Sequence, residues 1–191
     1  MTSFILCALL AVAAPVAHQP APLSGQADNN LSDAEIRSTV RSYMGTIDVP
    51  IDQTRWQRLG PRAEGALLEI INSATELSPY RAKAIDGLSM IGTPNAQALL
   101  ARIANDEQQP VNVRTAAVRG LARVTSDDQL LAVLKPILEK AQASRVRARA
   151  GELLAQRLPA RACTVVRAQV SHEQAETQGQ FAHALKACSS R

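Results

Sequence analysis

The sequence predicts an all-α fold, a right-handed α-solenoid of about four antiparallel helical hairpins with a capping helix at each end. The main reason is a segment that recurs every 33 residues, in which Arg opens each copy, Ala follows three positions later and Leu follows seven positions later. The copies begin at Arg81, Arg114 and Arg147. Apolar residues at helical spacing follow each copy, and no stretch alternates as a β-strand would. A fixed period of this length is typical of stacked helical hairpins.

The second half of each unit carries the apolar stripe of a second helix. The spacing is i, i+3, i+4, i+7 and i+8, which marks one face of an α-helix. The stripes are Ala96, Leu99, Leu100, Ile103 and Ala104, then Leu130, Val133, Leu134, Ile137 and Leu138, then Ala162, Val165, Val166 and Val170, with Gln169 breaking the last set. We therefore predict that each unit consists of two helices, A then B, whose stripes face each other.

A weaker copy of the unit lies upstream and supplies the first hairpin. Its A helix is predicted around residues Gln53–Leu59. Its B stripe lies 33 residues before the stripe of the first clear copy. The members of that stripe are Ala63, Ala66, Leu67, Ile70 and Ile71.

Turn-forming residues separate the predicted helices. Gly92 followed by Pro94 indicates the end of an A helix. Ser126, with two Asp residues after it, is a candidate N-cap for the next B helix. Pro136 lies inside a predicted B helix, where we expect a kink or a restart.

The N-terminal region has the pattern of a signal peptide. An apolar run extends over residues 4–14, and Ala11-Val12-Ala13 offers a cleavage site between small residues, although no Lys or Arg precedes the run. We predict a signal peptide at residues 1–14 and expect the protein to be periplasmic or secreted. No apolar run reaches the roughly 20 residues that a membrane-spanning helix needs.

The predicted folded domain begins after a polar leader. Residues 15–31 are rich in Pro, Gln, Asn and Ala and are predicted to be disordered. Ser32 and Glu35 form a capping-box pattern before an amphipathic stretch. The repeat domain is therefore predicted over residues 32–191, with its first capping helix at Ser32.

Two cysteines remain if Cys7 leaves with the signal peptide. They are Cys163, near the start of the last B helix, and Cys188, near the end of a final helix predicted from about Ser171. An even pair of cysteines in an exported protein favours a disulfide. We predict a Cys163–Cys188 bridge that holds the terminal helix on the stack, the alternative being two reduced thiols in a cytosolic protein.

Charge is distributed unevenly along the chain. Residues 1–110 have a net charge of −3 and residues 111–191 a net charge of +7, which gives +4 for the whole chain. A basic patch could meet an acidic protein, anionic lipid or nucleic acid. Composition offers another explanation, because the chain has 17 Arg, 4 Lys and abundant Ala, as a GC-rich coding sequence would give. The basic half contains Arg145, Arg147, Arg149, Arg157, Arg161 and Arg167.

Residues with catalytic or metal-binding potential do not cluster in the sequence. His172 and His183 are eleven positions apart, about 16 Å along a single helix, which is too far to share an ion. There is no Gly-rich phosphate loop and no nucleophile elbow. Asp127-Asp128 and Asp106-Glu107 lie in predicted turns, where they can act as helix caps. We expect no catalytic residue, no cofactor, no metal and no enzymatic activity.

The repeat motif resembles a known class of helical repeats. Trp56-Gln57-Arg58-Leu59-Gly60 matches the start of a tetratricopeptide repeat, but the Tyr expected next is replaced by Ala63. The Arg-x-x-Ala-x-x-x-Leu segment, a short turn and a Leu-rich B helix instead resemble HEAT repeats of the short, phycobilisome-lyase type, over roughly residues 50–170. That resemblance implies an all-α solenoid used for protein–protein interaction or scaffolding. Some members of that family act on bilin chromophores, but the matching residues here are packing residues.

These observations favour an exported, non-enzymatic protein-binding or scaffolding module with a protein partner. The hypothetical contacts are outward positions on the B helices, namely Arg102, Lys135, Thr164 and Arg167. One alternative is a basic HEAT-like solenoid in the cytoplasm that binds nucleic acid, which the scarcity of aromatic residues disfavours. The other is an enzyme like the chromophore lyases, which would need a pocket with converging polar groups.

Overall fold

The regular structure of the protein is entirely helical over the residues that the structure describes. A computed structural model describes residues 30–46 and 50–189. Its α-helices are α1 Asp33–Gly45, α2 Gln53–Leu59, α3 Ala63–Asn72, α4 Ser78–Ile91, α5 Ala96–Asn105, α6 Val111–Val124, α7 Asp127–Lys140, α8 Ser144–Arg157, α9 Pro159–His172, α10 Ala175–Gln178 and α11 Ala182–Ser189. A 3₁₀ turn at Gly179–Phe181 precedes α11. None of these helices is long and apolar enough to cross a membrane.

The helices form the predicted α-solenoid. Four hairpins follow in order, α2–α3, α4–α5, α6–α7 and α8–α9, and the A helices α4, α6 and α8 pack against one another in succession. The Leu of the repeated motif is completely buried in each of them, at Leu88, Leu121 and Leu154. The predicted all-α repeat architecture is confirmed.

The N-terminal predictions fall partly outside the described residues. The predicted signal peptide, 1–14, and the predicted disordered leader up to residue 29 belong to the part of the chain that the structure does not describe. The predicted capping box is present: the Glu35 N–H donates to Ser32 Oγ, and the Ser32 N–H donates to the Glu35 carboxylate at 2.7 Å. Helix α1 therefore begins where the sequence predicts.

Two predicted helix boundaries need correction. Helix α7 runs without interruption from Asp127 to Lys140, so it does not restart at Pro136. Pro136 has no N–H, so the carbonyl of Ala132 loses its helical hydrogen bond. Both residues are exposed, and solvent can hydrate that carbonyl. The last helix does not begin at Ser171, because α9 extends to His172 and the chain leaves the helical conformation at Glu173, with ψ of 146°.

The repeated arginines hold successive units together. Arg81 Nε donates to the carbonyl of Ile71 at 2.8 Å, and Arg114 Nε donates to the carbonyl of Ala104 at 3.0 Å. Arg147 donates to the carbonyl of Ala141 at 2.6 Å. Each guanidinium thus caps the end of the preceding B helix, where carbonyls lack intrahelical partners. The Arg of the motif is therefore a structural donor in each copy.

Glycine admits close packing at one repeated position. A Cβ on Gly87 would lie 2.8 Å from the indole of Trp56, and a Cβ on Gly120 would lie 3.0 Å from Leu100 Cδ2. Trp56 also meets Tyr43 of α1 edge-on, with ring centroids 5.0 Å apart. The indole therefore joins α1, α2 and α4 in one cluster.

The C-terminal end of the stack is closed by three kinds of contact. Cys163 and Cys188 form a disulfide, with their Cα atoms 5.6 Å apart. Phe181 is completely buried, and its ring lies against the position of Gly151 in α8. Arg167 donates to the carbonyl of Cys188 at 2.9 Å. The predicted pairing of the two cysteines is present and fixes α11 to α9.

Candidate functional site

A groove between the neighbouring B helices α3 and α5 is the best candidate for a binding site. It has a volume of about 330 Å³. The side chains of Leu68 and Leu99 are half buried, and the side chain of Ala98 is exposed to solvent. The groove is lined by Glu64, Leu68, Asn95, Ala98, Leu99 and Arg102. Three of these six residues are apolar and three are polar or charged, so the groove can offer both apolar contacts and polar groups to a ligand.

The two charged residues of the groove lie toward opposite ends. Helices α3 and α5 are equivalent halves of successive repeats, so Glu64 corresponds to Gln97 at the 33-residue period. Arg102 is five residues beyond Gln97, which is about 7–8 Å along the helix axis at 1.5 Å per residue. The apolar side chains of Leu68 and Leu99 occupy the part between them. The groove therefore has a negative end, an apolar middle and a positive end.

The four contact residues predicted from the sequence have different environments. Arg102 lines the groove, and Thr164 is exposed on α9. Lys135 forms an ion pair with Glu139 one turn along α7, at 2.6 Å. Arg167 donates to the carbonyl of Cys188 and so caps the last helix. The structure brings only Arg102 of these four into the groove.

Most arginines of the basic C-terminal half have partners within the chain. Arg149 pairs with Glu152, and Arg157 with Asp127. Arg161 donates to the carbonyl of Asp127. Together with Arg147 and Arg167, these residues leave Arg145 as the one member of the predicted basic patch without an ion pair or side-chain hydrogen bond to the described residues. The patch therefore offers few free cations to a phosphate backbone, whose binding depends on such charges.

A second, polar cavity lies where α7, α8 and α9 meet. It has a volume of about 510 Å³. Glu173 accepts from Arg147 Nε at 2.5 Å, from Gln169 at 2.9 Å and from Thr177 at 3.0 Å. The side chain of Glu173 is only 2% exposed and that of Arg147 is 16% exposed. The polar groups at the base of this cavity are therefore already paired with one another.

The hydrogen bonds from Arg147 determine the protonation of Glu173. Together with the weaker effect of the bonds from Gln169 and Thr177, and against the opposing effect of burial, they lower the pKa of the Glu173 carboxyl to about 2. Glu107 has a related environment: burial opposes ionisation, but hydrogen bonds from Arg114 and from the N–H of Gln142 lower its pKa overall. Both carboxylates stay ionised at neutral pH and act as acceptors that join repeats.

Metal-binding side chains do not converge within the described residues. No group of three or more His, Cys, Asp or Glu side chains there is arranged to hold an ion. His172 borders the polar cavity, whereas His183 borders a separate depression beside α8. The two histidines therefore lie in different places.

Most residues of the groove could not be recognised as binding residues from the sequence. The helical spacing marks Leu68 and Leu99 as apolar, but it does not distinguish half-buried groove residues from core residues. Glu64 lies in the first turn of α3, where an acidic residue is expected to stabilise the helix end. Glu64 is recognised as part of a binding surface only because α3 and α5 lie side by side, so that Glu64 and Arg102 line the same groove.

Comparison with known proteins gives one match. Residues 63–155 match the family model of HEAT repeats, which covers helices α3 to α7 and most of α8. No curated protein and no solved structure matches the chain. The match coincides with the part of the stack that contains the groove.

Proposed function

We propose that this chain, which matches HEAT repeats over residues 63–155, is an exported, non-enzymatic module that binds or scaffolds a protein partner through the α3–α5 groove. HEAT repeats form helical modules that mediate protein interactions. The observation that supports this site most is the groove itself, in which half-buried Leu68 and Leu99 lie beside Glu64 and Arg102, which have no ion pair among the residues that the structure describes. A partner would cover the leucines and neutralise the charges.

Two observations support the export part of the proposal. The first is the apolar run and small-residue pattern at residues 4–14. The second is the Cys163–Cys188 disulfide, because such bonds persist in oxidising compartments such as the bacterial periplasm. We therefore propose a periplasmic or secreted location, which cell fractionation and the mass of the mature chain would test.

The non-enzymatic part rests on the roles of the polar groups. The shifted carboxylates of Glu107 and Glu173 are occupied by hydrogen bonds that join repeats. An acid–base catalyst needs a group poised near neutral pH, and these two groups are shifted away from it. The polar cavity at Arg147 and Glu173 is thus explained by packing of the repeats.

The substitution Ala98→Arg tests the groove. Ala98 lines the groove and is exposed, so an Arg side chain there would obstruct the groove without replacing a buried side chain, and Arg is nearly as good a helix former as Ala. We expect the tagged Ala98→Arg protein to lose, by about tenfold or more, the partner captured by the wild type from native cells. Quantitative mass spectrometry of the captured proteins provides the measurement.

The matched control is Ala182→Arg, at an exposed alanine of α11 outside the groove. This variant should capture the partner as the wild type does. Equal capture by all three proteins would exclude the groove as the binding site.

A further inference from the structure

The two charged residues of the α3–α5 groove have no ion-pair partner within the described residues, unlike several other charges of the stack. Arg62, next to α3, pairs with Asp33, and Asp86 of α4 pairs with Arg119 of α6. Within residues 30–46 and 50–189, Glu64 and Arg102 form neither an ion pair nor a side-chain hydrogen bond. The groove thus holds two charges of opposite sign that are free to pair with a ligand, in a cavity that also exposes apolar side chains.

The charge of Arg102 also has little effect on the pKa of Asp106, the acidic residue that follows α5. The pKa of Asp106 is lowered mainly by hydrogen bonds from the Gln109 side chain and the Gln108 N–H, and the charge of Arg102 is the smallest of the contributions. The guanidinium therefore keeps its hydrogen-bond donors available. A carboxylate is the natural ligand, because it matches the fork of guanidinium donors.

We infer that the groove recognises a segment of a partner protein in which an apolar side chain lies between a basic and an acidic side chain. The basic side chain would meet Glu64, the apolar one would pack on Leu68 and Leu99, and the acidic one would meet Arg102. This inference rests on the proposed function and specifies the chemistry of the partner at the same site. Charge complementarity of this kind determines register and selects among partners more than it adds affinity.

The unequal ends of the groove also give the bound segment a direction. A segment laid with its basic end at Arg102 and its acidic end at Glu64 would place like charges together, which is strongly unfavourable in an interface. Exchanging the two charges of the groove should therefore reverse the preferred order of charges in the segment. This reversal is specific to the inference, because a purely apolar groove would not show it.

Selection of short random peptides displayed on phage tests the inference. The targets are the full chain, the exchanged variant Glu64→Arg/Arg102→Glu, and the control Arg37→Glu/Glu176→Arg, which changes exposed charges outside the groove. Wild type and control should enrich the same peptides, with an apolar residue between a basic and an acidic one. The exchanged variant should enrich the reverse order and bind wild-type peptides at least about tenfold more weakly. Circular dichroism checks that all three proteins fold alike.

Several results would overturn the inference: no enrichment on the wild type, enriched peptides without the two charges, or equal binding of the same peptides by the exchanged variant. The natural partner separates this failure from failure of the proposed function. If Ala98→Arg abolishes capture of that partner and the charge exchange does not, the groove binds a protein but does not read these charges. If neither variant changes capture, both proposals are wrong.

Discussion

Replacing Arg147 with Met is expected to lower the free energy of unfolding by about 3–5 kcal/mol, the cost of breaking a buried ion pair by removing one partner. Arg147 donates to both carboxylate oxygens of Glu173, at 2.5 and 2.6 Å, and to the carbonyls of Ala141 and Gln142. Met keeps an unbranched, flexible stem but has no charge and no hydrogen-bond donor. The substitution leaves Glu173 buried with its charge supported only by Gln169 and Thr177.

Arg145→Met is the matched control, on the same helix and two residues earlier. Arg145 is exposed and has no ion pair or side-chain hydrogen bond among the residues that the structure describes. Surface substitutions of this kind change stability by less than about 0.5 kcal/mol. Urea unfolding followed by circular dichroism measures both variants, and equal losses in the two would contradict the structural role of Arg147.

The same ion pair predicts a pH dependence of stability. The pKa of Glu173 is about 2 in the folded protein and 4.5 without the fold. The stabilisation, on the order of 3 kcal/mol, is therefore complete above pH 4.5 and is lost as the pH falls toward 2. In Arg147→Met the stability should fall less steeply across this window, because the carboxyl has lost its main reason to stay ionised. Parallel curves for the two proteins would refute this assignment.

Removing the disulfide is expected to cost about 3 kcal/mol. The bond closes a loop with a sequence separation of 25 residues, and the chain-entropy model gives a cost of this size for such a loop. The double substitution Cys163→Ala/Cys188→Ala should lower the midpoint of urea unfolding. It should also increase amide hydrogen exchange in α11 more than in α4 or α6, because the bond holds α11 on α9.

Reduction provides the control for this prediction. Cys7 is replaced by Ala in both proteins, so that no other thiol takes part. A thiol reductant should destabilise the protein that retains Cys163 and Cys188 and leave the double variant unchanged. An unaltered midpoint after complete reduction would show that Phe181 and Arg167 alone suffice to hold the C-terminal cap.

Much of the fold could be predicted from the sequence because the repeat is defined by the spacing of residues that lie close together in the chain. The Arg of the motif recurs at 33 residues, and a helix stripe is visible in every unit, so the hairpins and even the bounds of α2 follow from spacing alone. Gly92 also ends α4 in the left-handed conformation, as its position before Pro94 indicates. These features depend on residues close together in the sequence.

Features that depend on tertiary contacts could not be predicted in the same way. Glu173 ends α9 and turns toward Arg147, 26 residues earlier, and nothing in its local sequence indicates that partner. Arg167 occupies an outward helix position and was expected to contact a partner, but the disulfide brings the end of α11 within its reach. The groove likewise requires α3 and α5 to lie side by side before Glu64 and Arg102 become parts of one surface.

Site-specific photo-crosslinking in native cells tests the central claim, binding of a protein in the α3–α5 groove, most directly. A photoreactive amino acid replaces Ala98, which lines the groove, or, as the control, Ala182 on α11. We expect a discrete crosslinked product from position 98 that contains one partner protein, is absent from position 182 and disappears when Glu64 and Arg102 are exchanged. No product from position 98, or the same product from both positions, would contradict the central claim.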